Sequence, residues 1–405
     1  MISTKPYTTV RLRKAKSSPR RKGYPWYYID EIALDRRTKN IKPGEIIKIE
    51  DTELGPMGLF SFNPNSKISA RLLDLDCDET IDLGWIKKQL KVALELRELL
   101  FETAFFRLTH GEADGLPGVV IDRFGDSAVF QPNSFWADCY KEEILDSLVS
   151  LGMKNIVLNG MSRSRKMEGL DQITEVVRGD VTKPIVVPMN GAKYFADIVN
   201  GQKTGLFYDQ RTNHEFVARL SKNKKILDVF SHVGGFGLAA LVAGADAVTC
   251  VDSSQNALEL AQKGAEESGV SKQFTTIKLD AFDAMSEMGK SGEKFDIVVC
   301  DPPAFSPAKQ TLNSGLRAYE RVALLSARLV GPRGYLILCS CSHAVDLTKF
   351  RNACLRGITR AGRQAERAHR RRRWLRRLAR SAAAWCRAGT GWQLGALQLQ
   401  GLLPR

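Results

Sequence analysis

The sequence predicts a multidomain α/β protein: a small N-terminal β-barrel, a small central α/β domain, and a C-terminal domain on a mostly parallel sheet covered by helices. Three observations lead there. The 405 residues, 45.0 kDa in all, exceed what one hydrophobic core usually organises. The first 75 or so residues alternate apolar and polar positions between closely spaced turn residues, as short half-buried strands do. From about Asn190 strand-like and helix-like runs alternate, which implies right-handed crossovers and a parallel sheet.

In the barrel, assigned to residues 1–78, turns fall at Gly23, Pro43-Gly44, Gly55-Pro56 and Asn63-Pro64-Asn65, with strands expected over 45–49 and 67–72. A helix over 83–101, carrying Trp85, Ile86, Leu90, Ala93, Leu94 and Leu100 at helical spacing, opens the central domain of residues 79–188. Strands are expected there at 119–121, 128–131 and 155–158, and a helix at 140–151. The third domain, residues 189–363, should contain strands at 225–230, 247–251, 275–279, 295–300 and 335–338. Helices at 237–243, 257–268 and 319–329 lie between them.

Residues 364–405 have another texture. After Lys349 there is no lysine, and after Ile358 neither Ile nor Val; Arg370–Arg373 are consecutive, and three of the six tryptophans are Trp374, Trp385 and Trp392. These amino acids have GC-rich codons, so a shifted reading frame from about Gln364 is the expected origin; an arginine-rich arm for RNA phosphates is the rival. Residues 350–405 hold fourteen Arg and one acid, a net +13 of the total +15, which leaves +2 for residues 1–349. The global charge therefore carries no argument about partners. No run approaches the ~18 apolar residues of a membrane span. The eight cysteines include no C-x-x-C pair, so a reducing cytoplasm without structural zinc is expected.

The segment from Leu227 to Gly237 runs from a buried strand into a helix through Phe230, Ser231, Gly234 and Gly235. Glycines at such a turn permit close strand–helix packing or close approach of a ligand. Asp252 follows the next strand, 18 residues after Gly234, where a carboxylate can bind ribose hydroxyls. Asp280 ends the following strand and could hold an adenine amino group. The Gly-x-Gly-x-x-Gly pyrophosphate pattern is missing, which suits S-adenosyl-L-methionine, a cofactor without phosphate. Upstream, the loop 201–211 offers Gly201, Lys203, Gln210 and Arg211, with Arg211 the favoured partner of the methionine carboxylate.

The segment Val298-Val299-Cys300-Asp301-Pro302-Pro303-Ala304-Phe305 delivers a carboxylate to a strand end beside a rigid lip formed by Pro302 and Pro303. That arrangement suits an aromatic base held edge-on, with Phe305 available for stacking. The next strand ends in Cys339-Ser340-Cys341-Ser342. Cytosine is a poor carbon nucleophile, and a thiolate adding to carbon 6 makes carbon 5 enamine-like while an acid protonates the ring nitrogen. Asp301 is the proposed acid. Cys339 and Cys341 would share a strand face, so the residues alone do not choose between them. Two rivals stay open: methylation of a guanine ring nitrogen or exocyclic amine, and a non-catalytic RNA-binding or ribosome-assembly protein.

At these residues the chain resembles the PUA-domain class I ribosomal RNA cytosine-5 methyltransferases, the large-subunit methyltransferase I-like family. The resemblance covers residues 8–363 and rests on Arg11 to Trp26, Gly58-Leu59-Phe60, Asn63-Pro64-Asn65, the His110 to Gly118 segment and the Lys203-Thr204-Gly205…Asp209-Gln210-Arg211 segment. The Gly234-Gly235-Phe236 loop, Asp301-Pro302-Pro303 and Cys339 to Ser342 complete it. It implies an RNA-binding PUA barrel, a Rossmann-like methyltransferase domain, large-subunit ribosomal RNA as partner, and Cys341 as nucleophile. It leaves the oligomeric state open between monomer and homodimer. The family also closes its sheet with a C-terminal hairpin of His-Pro…Pro-Glu…Tyr-Leu-Lys pattern, which this tail lacks. A bare sheet edge and an unstable or inactive chain are therefore expected.

Overall fold

The computed structural model describes residues 7–14, 21–201, 204–342, 344–367 and 393–401. The chain divides into two compact units, Met1–Ile185 with Asp197–Leu206, and Val186–Ala196 with Phe207–Arg405.

In the first unit β1 (Thr8–Arg11), β2 (Trp26–Tyr28), β3 (Ile46–Asp51), β4 (Gly55–Phe62) and β5 (Ile68–Asp74) form a sheet in the order β1-β3-β4-β5-β2. A bridge from Leu12 to Ile32, with Arg13 N–H donating to Glu31 O at 2.8 Å, joins the two edges and curls the sheet towards a barrel. The period of two turns Ile47, Ile49, Phe60 and Phe62 inward, all fully buried. Between β2 and β3 a single turn, α1 (Arg36–Lys39), is capped by Asp35.

Asp82 caps α2 (Leu83–Leu100) by accepting from Trp85 N–H at 2.9 Å. The strands β6 (Phe105–His110), β7 (Val119–Phe124), β8 (Ser127–Pro132), β9 (Asn155–Asn159) and β10 (Thr174–Arg178) form a second sheet in the order β10-β9-β8-β7-β6. It is antiparallel except for β8 and β9, which the crossover through α3 (Phe135–Cys139) and α4 (Lys141–Ser150) makes parallel. A further short helix, α5 (Arg163–Met167), precedes β10. Trp85, Ile86 and Leu90 pack with Leu108, Ile121 and Phe130, and with Leu59 and Leu73 of the first sheet, in one continuous core.

A buried ion pair pins α2 to the turn after β6. Arg97 donates to Asp114 through Nη1 at 2.6 Å and Nη2 at 2.8 Å. Their side chains are 3% and 7% exposed. Removing one member leaves the other charge uncompensated, at a cost of roughly 3–5 kcal/mol. Arg97→Met should therefore destabilise this unit by that amount in urea unfolding; a loss below about 1 kcal/mol would mean that solvent replaces the guanidinium.

The second unit opens with a hairpin, β11 (Ile185–Met189) and β12 (Ala192–Ala196). Its turn residues Asn190 and Gly191 have φ of 52° and 78°, the left-handed pair of a tight hairpin. This hairpin is absent from the elements expected above, although Asn190-Gly191 between apolar runs is a direct signal for it. After α6 (Arg211–Ala218) come β13 (Lys225–Val229), β14 (Ala247–Asp252), β15 (Phe274–Lys278), β16 (Phe295–Cys300) and β17 (Val330–Ser340), all mutually parallel. The helices α7 (Gly235–Val242), α8 (Gln255–Glu267), α9 (Ala281–Ser291) and α10 (Leu312–Leu329) link them, and α11 (Leu347–Arg360) follows. The order β15-β14-β13-β16-β17 reverses direction between β13 and β16. A ligand crevice is expected outside the carboxyl ends at such a switch point.

The tail corrects one expectation. β17 is not a bare edge: β19 (Gln393–Gly401) pairs with it antiparallel from Tyr335↔Gln398 to Ser340↔Gln393. β18 (Arg363–Arg367) pairs with β19 in turn, so seven strands stand in the order β15-β14-β13-β16-β17-β19-β18. An antiparallel ladder is a backbone structure, and the alternating Leu397-Gln398-Leu399-Gln400 supplies strand periodicity without the family's hairpin motif. Among the described residues the β17 edge, the ground for expecting instability, is covered by β19. Of the segment assigned to a shifted frame, residues 368–392 and 402–405 lie outside the described residues. Among the described residues no helix is long and apolar enough to cross a membrane, and no cluster of His, Cys, Asp or Glu could hold a metal ion.

Candidate active site

The loop from β13 into α7 is tightly bent. Phe230, His232 and Gly234 have φ of 63°, 49° and 75°. Two of them are not glycine, and such residues persist only where their surroundings hold them. Here Ser231 N–H donates to Val251 O at 3.0 Å and Gly234 N–H to Ser231 O at 2.8 Å. His232 N–H donates to Asp252 Oδ2 at 2.8 Å, while Asp252 Oδ1 accepts from Ser254 N–H at 2.9 Å. Asp252 thus ties the β13 loop to the end of β14. A Cβ on Gly235 would lie 2.6 Å from His214 Nε2, so this glycine is required by packing.

Below the loop Asp228 is fully buried on β13, and its Oδ2 accepts from Gly237 N–H at 2.9 Å. Burial pushes its carboxyl up to about 7, against the pull of the Gly237 N–H. His214, 4% exposed on α6, is pushed down to about 3 by burial and then by the nearby Arg211. Arg211 itself is half-buried, with its guanidinium 5.7 Å from the Tyr208 ring centre and its carbonyl accepting from Asn190 Nδ2 at 2.8 Å. Gln202 and Lys203 lie outside the described residues.

Past β15, Asp280 is exposed and caps α9, its Oδ1 accepting from Phe282 N–H at 2.8 Å and Asp283 N–H at 3.3 Å. Phe282 closes a triangle of half-buried rings: it is 6.4 Å from Phe230 and 6.2 Å from Phe305, which are themselves 6.4 Å apart. The triangle makes an apolar wall across the ends of β13, β15 and β16. Phe282 was not singled out in the sequence, though it follows Asp280 by two residues.

At the end of β16, Asp301 N–H donates to Val229 O at 3.2 Å. Asp301 Oδ2 accepts from Gln210 Nε2 at 2.6 Å. Pro302 is buried and Pro303 exposed. Cys339 and Cys341 prove unlike. Cys339 lies within β17, 1% exposed, and burial holds its thiol well above the ordinary range. Cys341 lies just beyond the strand, half-buried, with Sγ 3.9 Å from Pro302 O. Around it, Ser342 Oγ meets Tyr319 OH at 2.8 Å and accepts from Ser306 N–H at 3.0 Å, and Ser340 Oγ donates to Tyr319 OH at 2.8 Å. Tyr319 therefore ties the cysteine segment to α10, and Ser342 ties it to Ser306 after Phe305, links that sequence inspection alone had no means to see.

Two family models match the chain: a PUA-like domain over residues 10–75 and "Conserved hypothetical protein 95" over residues 210–349. Among solved structures it is similar to "a putative sam-dependent methyltransferase from Streptococcus mutans", with TM-score 0.74 and 16% identity over 96% of this chain and 100% of that one. A structure described as "a putative methyltransferase complexed with SAH" aligns with TM-score 0.73 and 16% identity over 96% of this chain and 99% of that one. The fold is that of the S-adenosyl-L-methionine-dependent methyltransferases, with an N-terminal PUA-like domain and a C-terminal Rossmann-like domain. The "Ribosomal RNA large subunit methyltransferase I" of Aeromonas salmonicida (strain A449) is 34% identical over 363 residues, 88% of this chain and 91% of that protein. That of Aliivibrio fischeri (strain ATCC 700601 / ES114) is 36% identical over 349 residues, 84% of this chain and 87% of that protein. The chain belongs to the ribosomal RNA large subunit methyltransferase I family. It is an enzyme, and the non-catalytic alternative is set aside.

Proposed function

We propose that this enzyme methylates carbon 5 of a cytosine in large-subunit ribosomal RNA, with Cys341 as transient nucleophile and Asp301 as the acid that orients the base. The observation that carries the proposal is the half-buried Cys341 thiol, 3.9 Å from the carbonyl of Pro302, which follows Asp301 just beyond β16. The relatives' name supports ribosomal RNA as substrate, and the PUA-like domain supports recognition of structured RNA.

The pocket residues fit the cofactor. Asp252 and Asp280 each accept backbone N–H groups, yet a carboxylate has about four acceptor sites, so both keep capacity for a ligand. Asp252 would take the ribose hydroxyls and Asp280 the adenine amine. Phe230, Ser231, Gly234 and Gly235 would form the floor, with Arg211 towards the methionine carboxylate. Bound S-adenosyl-L-methionine supplies an electrophilic methyl group. The Cys341 thiolate adds to carbon 6 while Asp301 gives a proton to the ring nitrogen, which makes carbon 5 nucleophilic. Once carbon 5 has been methylated, solvent water takes its proton, the electron pair of that C–H bond re-forms the carbon 5–carbon 6 double bond and the thiolate leaves, and the ring-nitrogen proton returns to the Asp301 carboxylate. Pro302 and Pro303 bound the base, and Phe305 braces that lip against Tyr319, ring centres 5.0 Å apart.

The test is methylation of undermethylated ribosomal RNA with labelled cofactor, followed by digestion and identification of the nucleoside by mass. The expected product is 5-methylcytidine; a methylated guanosine would overturn the proposal.

A further inference from the structure

Gln210 stands in the sequence beside Arg211, where a contact with the cofactor is the natural expectation. Its side chain is engaged within the protein. It is 1% exposed, at the end of the short turn before α6, and its Nε2 donates to Asp301 Oδ2 at 2.6 Å. Its Oε1 accepts in turn from Asn213 Nδ2. A primary amide has one acceptor end and one donor end, so an Asn213 donor on the oxygen fixes which end faces Asp301. The chain Asn213–Gln210–Asp301 thus connects α6 to the end of β16 across 91 residues of sequence.

We propose that Gln210, oriented by Asn213, is a positioning residue for the reaction: it holds the Asp301 carboxyl group in the rotamer that meets the pyrimidine ring. This rests on the cytosine-5 reading above. A carboxyl group that exchanges a proton with a ring nitrogen must present one oxygen in the plane of the base. A group free to rotate about its side-chain torsions presents it only part of the time. The N–H from Gln210 fixes Oδ2 as an acceptor. A proton carried by Asp301 is then favoured on the other oxygen, because one on Oδ2 would compete with a donor already 2.6 Å away. Gln210 touches neither substrate nor reacting atoms in this account; it acts through Asp301.

The test is a double-mutant cycle on the full-length enzyme, with Gln210→Met, Asp301→Asn and the double variant. Single-turnover methylation and binding of S-adenosyl-L-methionine are both measured. Gln210→Met keeps the length of the side chain and removes its polar atoms. It should slow methylation about 10–100-fold, the loss expected for a displaced reacting group. Cofactor affinity should stay within about twofold, and the variant should cause no further loss once Asp301 is Asn. If Gln210→Met does not fold, Asn213→Ala at its half-buried position provides the same cycle with a smaller first loss, since it releases only the amide orientation. Losses that multiply in the double variant, or weakened cofactor binding with an unchanged rate, would overturn the proposal. Coupling between Gln210 and Asp301 with a product other than 5-methylcytidine would support the positioning role and remove the cytosine-5 reading. A 5-methylcytidine product without coupling would do the reverse.

Discussion

Cys341→Ala should abolish methyl transfer, lowering the single-turnover rate on the order of 10⁴–10⁶-fold, the range over which loss of a covalent nucleophile is felt. Cofactor affinity should be unchanged, because Cys341 stands just beyond β17 while the loop proposed to hold the cofactor follows β13, with β16 between them. Cys339→Ala is the informative control. Cys339 is fully buried, so its replacement removes a sulfur from a packed core, costs on the order of 1 kcal/mol, and leaves the chemistry running. RNA carrying 5-fluorocytidine should trap a denaturation-resistant complex with the native enzyme and with Cys339→Ala, but not with Cys341→Ala. Should Cys341→Ala retain full activity, no thiolate is needed, and methylation of a ring nitrogen or exocyclic amine becomes the better description.

The contrast between the two cysteines marks a boundary of what sequence reveals. Two residues apart, both sit at the end of an apolar run, and strand periodicity assigns them one face. What separates them is that β17 stops at Ser340, leaving Cys341 in the turn where Ser342 and Tyr319 hold the chain. The parallel sheet itself was legible, because a two-sided buried strand must be a nearly continuous apolar run, and β13 and β16 are. The positions of Asp252 and Asp301 were legible for the same reason, as polar residues at the carboxyl ends of such runs, whereas Asp280 follows the half-exposed β15. The Gln210–Asp301 bond was not, since nothing local encodes a partner 91 residues away. The cover of β17 was not legible either, because the expected bare edge followed from a missing hairpin motif, whereas β19 joins the sheet by a backbone ladder that needs no motif. Gly357 belongs with the illegible features: a Cβ there would lie 2.3 Å from Glu320 O, so α11 crosses α10 almost backbone to backbone.

The stability of the methyltransferase unit should fall between pH 5.5 and pH 8 through Asp228, and Asp228→Asn should remove that component. In the folded chain this carboxyl is pushed up to about 7, first by burial and then by the Asp252 charge, against an ordinary value of 3.8. The folded state therefore binds more protons than the unfolded state between those values, so stability present at the acid end is lost as pH rises through the window. Relative to Asp228→Asn, the native chain should lose about 2 kcal/mol over the upper part of the window, from pH 5.5 to pH 8. His214 acts with the opposite sign. Its folded value of about 3 lies below the ordinary 6.5, so the unfolded chain binds the extra proton and stability is lost as pH falls below that value. The two slopes oppose each other between about pH 4 and pH 6.5, and only Asp228 remains above. Comparing the urea midpoint of the native chain with that of Asp228→Asn at pH 5.5 and pH 8 cancels the histidine. The asparagine oxygen can still accept from Gly237 N–H, so the α7 start is retained. Parallel curves would show Asp228 ionised throughout, with water reaching the strand beneath the cofactor loop; converging curves, with the variant gaining at pH 8, would show a carboxyl kept neutral by the same close packing that bends the loop above it.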